Sequence, residues 1–162
     1  MNRKIGMYSS AVTLIAVLGF ALSMGIGSSF FSFLASMVIA WGFIPLIGSL
    51  AAYSEQERRS AGYTAIAFAA VYAVLIMLVY FAQLTTVRLS ELSTPVSNIL
   101  DYQKFGLFFY YDLLGYGFMA ISTFFIALTI RAKTRADKAL KLLLKVHGIF
   151  AIVCVTLPIT GT

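Results

Sequence analysis

The sequence predicts an all-α fold, a polytopic transmembrane helix bundle of about five spans with its N-terminus inside, and three observations predict it. Sixty per cent of the 162 residues are hydrophobic and 11% are charged, with a mean hydropathy of +0.92, whereas a soluble domain carries about 25% charged residues. Apolar runs recur, each near the roughly 20 residues that a bilayer crossing needs. Basic residues gather in alternate connections between those runs. Little length remains for a separate soluble domain, so 1–162 reads as one integral membrane domain.

Span one covers about residues 9–27, and the small, flexible GIGSS at 25–29 separates it from span two, about 30–53. Arg3 and Lys4 ahead of an apolar run too long for a cleavable signal read as an uncleaved signal anchor. Span two carries Trp41 near its middle and Pro45, which a bundle tolerates because neighbours satisfy the freed carbonyl. After SEQERRS comes span three, about 61–87, where Ala61, Ala65, Ala69 and Ala73 recur every four residues. Such a row lets another helix approach closely, and Ala21 with Gly25 offers a shorter one in span one.

The connection RLSELSTPVSNILDYQK then leads to span four, about 105–130. Within it Thr94 and Pro95 read as N-cap and first position of a short interfacial helix with Val96, Ile99 and Leu100 on one face. RAKTRADKALKLLLK leads to span five, about 142–162, with Lys138, Lys141 and Lys145 snorkelling to the surface. Span five has no polar flank after it, which predicts a longer parent chain with room for a sixth span. WGFI at 41–44 and YGFM at 116–119 form a faint echo between spans two and four, as duplicated halves would.

Orientation follows from the basic residues, because cytoplasmic connections retain them. Arg3, Lys4, Arg58, Arg59, Arg131, Lys133, Arg135, Lys138, Lys141 and Lys145 lie on one side, against Arg88 and Lys104 on the other, ten against two. The N-terminus is therefore inside. The net charge of +6 is mostly this topological signal, with anionic lipid head groups as partners of the inner connections and no case for nucleic acid.

One carboxylate breaks the apolar pattern. Asp112 lies within FGLFFYYDLLGYGFMA, seven residues past Phe105 and so about 10 Å below the outer boundary. A charged Asp facing hydrocarbon costs about 3 kcal/mol on insertion scales, so it must face the bundle or a wet cavity, be paired, or be protonated. At its depth the antiparallel span three brings Tyr80 and Gln83, with Thr85, Thr86 and Arg88 above; Ser36, Ser23 and Thr156 share the outer half. Tyr116 and Gly115 follow on the same helix face. These residues predict an outward-opening pocket with Asp112 at its floor and Tyr80, Gln83, Tyr116 and Ser36 as ligand-binding residues. A purely structural Asp112 would instead fix helix pairing through Tyr80, Gln83 or Arg88. Phe108, Phe109, Tyr110 and Tyr111 read as an aromatic belt.

His147, near the inner end of span five, is a candidate for the far end of a proton path, against the plainer role of an interfacial histidine bonded to a carbonyl or head group. With one His and with Cys154 as the lone cysteine, the chain has neither a zinc motif nor a CxxC pair, and no phosphate-binding loop is present. No enzyme, metal site or cofactor is expected.

LDYQKFGLFFYYDLLGYGFMA and the short basic inner connections resemble small multi-span bacterial membrane proteins in general style, without a motif that carries a functional residue. The resemblance implies a bacterial cytoplasmic membrane. Small multidrug transporters hold their essential acid in the first span, where this chain has none. The function predicted is binding or transport of a small cationic or hydrophobic ligand, or a proton, around Asp112. The alternative is a non-catalytic scaffold or subunit that forms a homo- or hetero-oligomer through the alanine row of span three.

Overall fold

The computed structural model describes residues 1–160, and among them there are helices and no strands. Five helices are long and apolar enough to cross a membrane: α1 (Asn2–Gly25), α2 (Ser29–Ala51), α3 (Arg59–Ala82), α5 (Leu107–Thr129) and α6 (Arg135–Thr160). The chain is thus a multi-pass membrane protein. A short α4 (Thr94–Leu100) lies in the connection before α5, and residues 161–162 at the end of the predicted fifth span fall outside the described residues.

The ends differ from expectation where polar residues join a helix. α1 starts seven residues before the predicted span and takes Arg3 and Lys4 into its first turn. α6 starts at Arg135, because Thr134 and Asp137 cap it reciprocally: Asp137 N–H donates to Thr134 Oγ1 at 3.1 Å and Thr134 N–H to Asp137 Oδ2 at 2.8 Å. The cap of α4 is Ser93 rather than Thr94, which moves Pro95 one position inward.

α3 is central, with α2 on one flank and α5 on the other, and these three enclose the core. α1 packs on α2 and α6 on α5, both largely turned to lipid. Arg131 pairs with Glu55 at 2.6 Å and Arg58 Nη1 donates to Leu128 O at 3.3 Å, so the α2–α3 and α5–α6 connections share one end with the N-terminus. At the other end Gln103 Nε2 donates to Ser29 Oγ at 3.3 Å.

The alanine row is used within the chain. Ala65, Ala69 and Ala73 are buried in the core, and Ser122 of α5 donates to Ala65 O at 2.7 Å across it. Those three alanines are thus closed to a partner chain, and Ala61, at the inner end of the row, is half-buried. The shorter row is corrected as well: Ala21 is exposed and nothing lies within 4 Å of a Cβ built on Gly25. α1 approaches α2 at Gly42 instead, where a Cβ would collide with Thr13 Oγ1 and stand 3.4 Å from Ser9 O.

Gly42→Val should therefore destabilise the protein by about 1–3 kcal/mol through overpacking, seen as a lower midpoint of thermal unfolding in detergent. Gly25→Val, in open space on α1, should leave that midpoint within error of wild type.

Candidate functional site

The three core helices each deliver a polar side chain to one level in the outer half of the bundle. Asp112 sits about 8 Å along α5 from its first residue and is 2% exposed. Tyr80 of α3 and Tyr102, from the single 3₁₀ turn Tyr102–Lys104, both hydrogen-bond its carboxyl group. Tyr80 is in turn hydrogen-bonded to Tyr116, and Tyr116 to Ser36 of α2. The result is a buried chain of hydroxyls ending on one acid. Among the described residues no Lys, Arg or His hydrogen-bonds or pairs with it.

Two atoms of the cluster stay without a hydrogen-bond partner, Asp112 Oδ1 and the Tyr72 hydroxyl. Tyr72 is fully buried, its ring 5.9 Å from that of Tyr116 and close enough for its hydroxyl to feel the Asp112 charge. Leaving such atoms unpaired in a low-dielectric interior costs about 1–3 kcal/mol each.

Access to Asp112 is closed by aromatic rings. Phe33 stacks on Tyr80 at 5.2 Å and meets Tyr102 edge-on at 5.8 Å, while Phe109 meets Tyr102 at 5.2 Å. The expected open pocket is thus corrected to an occluded site with Tyr102 as its roof, and Phe109 belongs to that roof rather than to the belt. Just outside lies a cleft of about 190 Å³, lined by Phe30, Phe33, Gln83, Arg88, Asp101 and Gln103 among others.

Gln83 holds the roof in place. Its Nε2 donates to Leu100 O at 2.7 Å and its Oε1 accepts from Tyr102 N–H at 3.0 Å, so one amide grips the connection from both sides. It sits where α3 widens into the π-helical turn Gln83–Val87, a local distortion that often accompanies function. The chain then turns into α5 through Phe105, at a φ of 53°, and Gly106, where a Cβ would collide with Asn98 O. Burial, then the neighbouring Asp112, pushes the Tyr102 phenol well above its ordinary pKa, so it remains a donor.

Of the predicted ligand residues, the structure brings Asp112, Tyr80, Tyr116 and Ser36 together. Gln83 lies outside this hydroxyl cluster, its amide bonded to Leu100 and Tyr102 of the connection. Arg88 lies over the Phe30 ring at 5.1 Å and its Nε donates to Leu84 O at 3.2 Å, away from the acid. Ser23 and Thr156 donate to carbonyls of their own helices.

Tyr102 and Tyr72 are the members that sequence reasoning missed. Tyr102 reads as part of a polar connection, and only the pairing of that connection with Gln83 turns it inward. Tyr72 lies one position before Ala73 on α3, but nothing in its neighbours marks it as polar lining.

His147 is separate. Its Nδ1 is 2.8 Å from Thr123 Oγ1, whose hydroxyl also donates to Ala120 O at 2.8 Å, so with that proton spent Nδ1 is the donor. Thr123 is eleven residues along α5 from Asp112, about 16 Å, and no hydrogen-bonded side chains join the two among the described residues. No group of three metal-binding side chains forms among the described residues either.

No protein-family model matches the chain, and neither a curated protein nor a solved structure does.

Gln83→Leu should free the roof while leaving the helices folded. Loss of two hydrogen bonds costs about 1–3 kcal/mol, so the Tyr102 amide should exchange with deuterium about tenfold faster or more, and amides of α3 at Ala65 and Ala69 should keep wild-type protection.

Proposed function

We propose that this multi-pass membrane protein binds a small cation at Asp112, a proton in the simplest case, in an occluded site that opens to the outer side when the Tyr102 roof is displaced. The observation that carries the reading is the acid itself: buried, ringed by hydroxyls, and lacking any basic partner. In the membrane interior a carboxylate without a counter-ion is expensive, and intramembrane acids mark ion and proton pathways. A proton or a small cation removes that cost.

The ligand atoms fit such a guest. Tyrosine and serine hydroxyls can donate to a carboxylate or turn their lone pairs to a cation, so one shell serves the charged and the occupied acid. Asp112 Oδ1 and the Tyr72 hydroxyl, both without partners, give a guest two oxygen contacts without displacing an existing bond. A purely hydrophobic ligand would leave those atoms as costly as before. No catalytic step belongs to this reading, and the ten basic residues of the N-terminus and the inner connections favour an orientation with those connections facing the cytoplasm, in a bacterial cytoplasmic membrane as the resemblance in style implies. The scaffold alternative is weaker because the ridge on which it relied is filled by the chain's own α5.

The test compares Asp112→Asn with Ala69→Leu in proteoliposomes. Difference infrared spectra on changing pH or added monovalent cation should show a carboxyl band that is missing in Asp112→Asn, with cation-dependent signal reduced about tenfold or more, the worth of one hydrogen bond to a charged group. Ala69→Leu, which overpacks the core, should lower yield and thermal stability but keep the band in the protein that folds. An unchanged spectrum in well-folded Asp112→Asn would refute cation binding at this acid.

A further inference from the structure

We propose a second site, for one anionic phospholipid of the inner leaflet, in the cleft bounded by α1, α2 and α6. The cleft has a volume of about 650 Å³, with Arg3 and Tyr53 at its inner mouth, Met7 and Phe43 on its walls, and Thr123 and Leu144 at its deeper end. It does not communicate with Asp112: Thr123 lies about 16 Å along α5 from that residue. The inference is independent of the cation reading.

Three features point to a lipid rather than to a protein segment. α1 and α6 pack on different core helices and form no packed pair with each other, so the cleft opens sideways into the bilayer. Its depth runs from the first turn of α1 to Ser10, eight residues or about 12 Å, within one leaflet and along the direction of an acyl chain. Its charge is single-signed: Arg3 stands at the mouth, no carboxylate lines the cleft, and Arg3 makes no ion pair among the described residues. A guanidinium at head-group level offers parallel N–H donors that match a phosphate. The Tyr53 ring, 66% exposed at the same end, stands at the interface where a phenol meets head groups. The apolar walls then take the tail, which removes hydrocarbon from nothing and so adds little by itself; the selectivity comes from the mouth.

Native mass spectrometry of the full chain with phosphatidylglycerol and phosphatidylcholine of identical tails tests this. The expected result is one retained phosphatidylglycerol per chain, preferred over phosphatidylcholine. Arg3→Gln should weaken that retention about fivefold, as one basic residue near a membrane surface contributes about 1 kcal/mol, while Lys4→Gln, outside the cleft, should weaken it distinctly less. Leu144→Trp, which fills the deeper end, should abolish the specific adduct, and the surface change at Arg3 keeps the test valid if that variant fails to fold. Equal retention of both lipids, or equal loss in Arg3→Gln and Lys4→Gln, would overturn the site and leave only a diffuse basic surface.

Discussion

The structure depends on an acid held in the bundle without a counter-ion. Asp112 faces the junction of α2, α3 and α5, and each of these helices, together with the connection before α5, supplies a hydroxyl to the same hydrogen-bonded cluster. Tyrosine suits that task in lipid because its ring packs as a hydrophobe while its tip hydrogen-bonds. The rings of Tyr72, Tyr80 and Tyr116 accordingly belong to the core or pack against it, beside Phe43 and Ile76, even as their hydroxyls gather round the carboxyl. Packing and polarity are solved by the same side chains, so the cluster specifies how the three helices meet.

That economy explains why the outer connection is ordered. A loop that merely joined α3 to α5 would have no reason to turn a tyrosine inward. Here the π-helical turn places Gln83 under the connection, its amide holds Leu100 and Tyr102, Asp101 accepts from Gln103 N–H at 3.0 Å, and Gly106 lets the chain pass against Asn98. Every one of these contacts is a hydrogen bond or a close backbone approach in a segment outside the apolar helices. Such contacts can be exchanged for water at modest net cost, whereas the core below cannot. The roof is therefore held by contacts weaker than those of the core below it.

Much of this could be read from the sequence, and the reason is physical. Hydropathy is imposed by the bilayer along the whole chain, so helix number, approximate bounds and the alternation of basic connections follow from local composition. Depth is legible too, because a helix rises a fixed distance per residue, which places Tyr80 and Ser36 in the outer half with Asp112, and within one helix the i,i+4 spacing puts Tyr116 on the Asp112 face. Azimuth between helices is not. Gln83 and Arg88 share the depth range but turn away, one to the connection and one to Phe30, and a count of residues cannot distinguish them from Tyr80. Tyr102 escaped for a different reason: its position is set by tertiary contacts of a segment that has no periodicity.

The alanine and glycine positions carry the same lesson about direction. Small residues at helical spacing report that something comes close, but not whether it is a neighbour in the same chain or another chain. The ridge of α3 is filled by α5, while the predicted row of α1 faces open space and the real approach lies at Gly42. Gly42 and Gly117 occupy matching places in the WGFI and YGFM echo, and both face a peripheral helix: Gly42 meets α1 at Thr13, and Gly117 meets α6 at Cys154 and Val155, 3.5 Å from a built Cβ. The partner of Gly42 precedes it in the chain, whereas the partner of Gly117 follows. A duplicated hairpin would keep that order, so the echo is better explained by a shared packing need, a glycine wherever an outer helix must sit closely on an inner one.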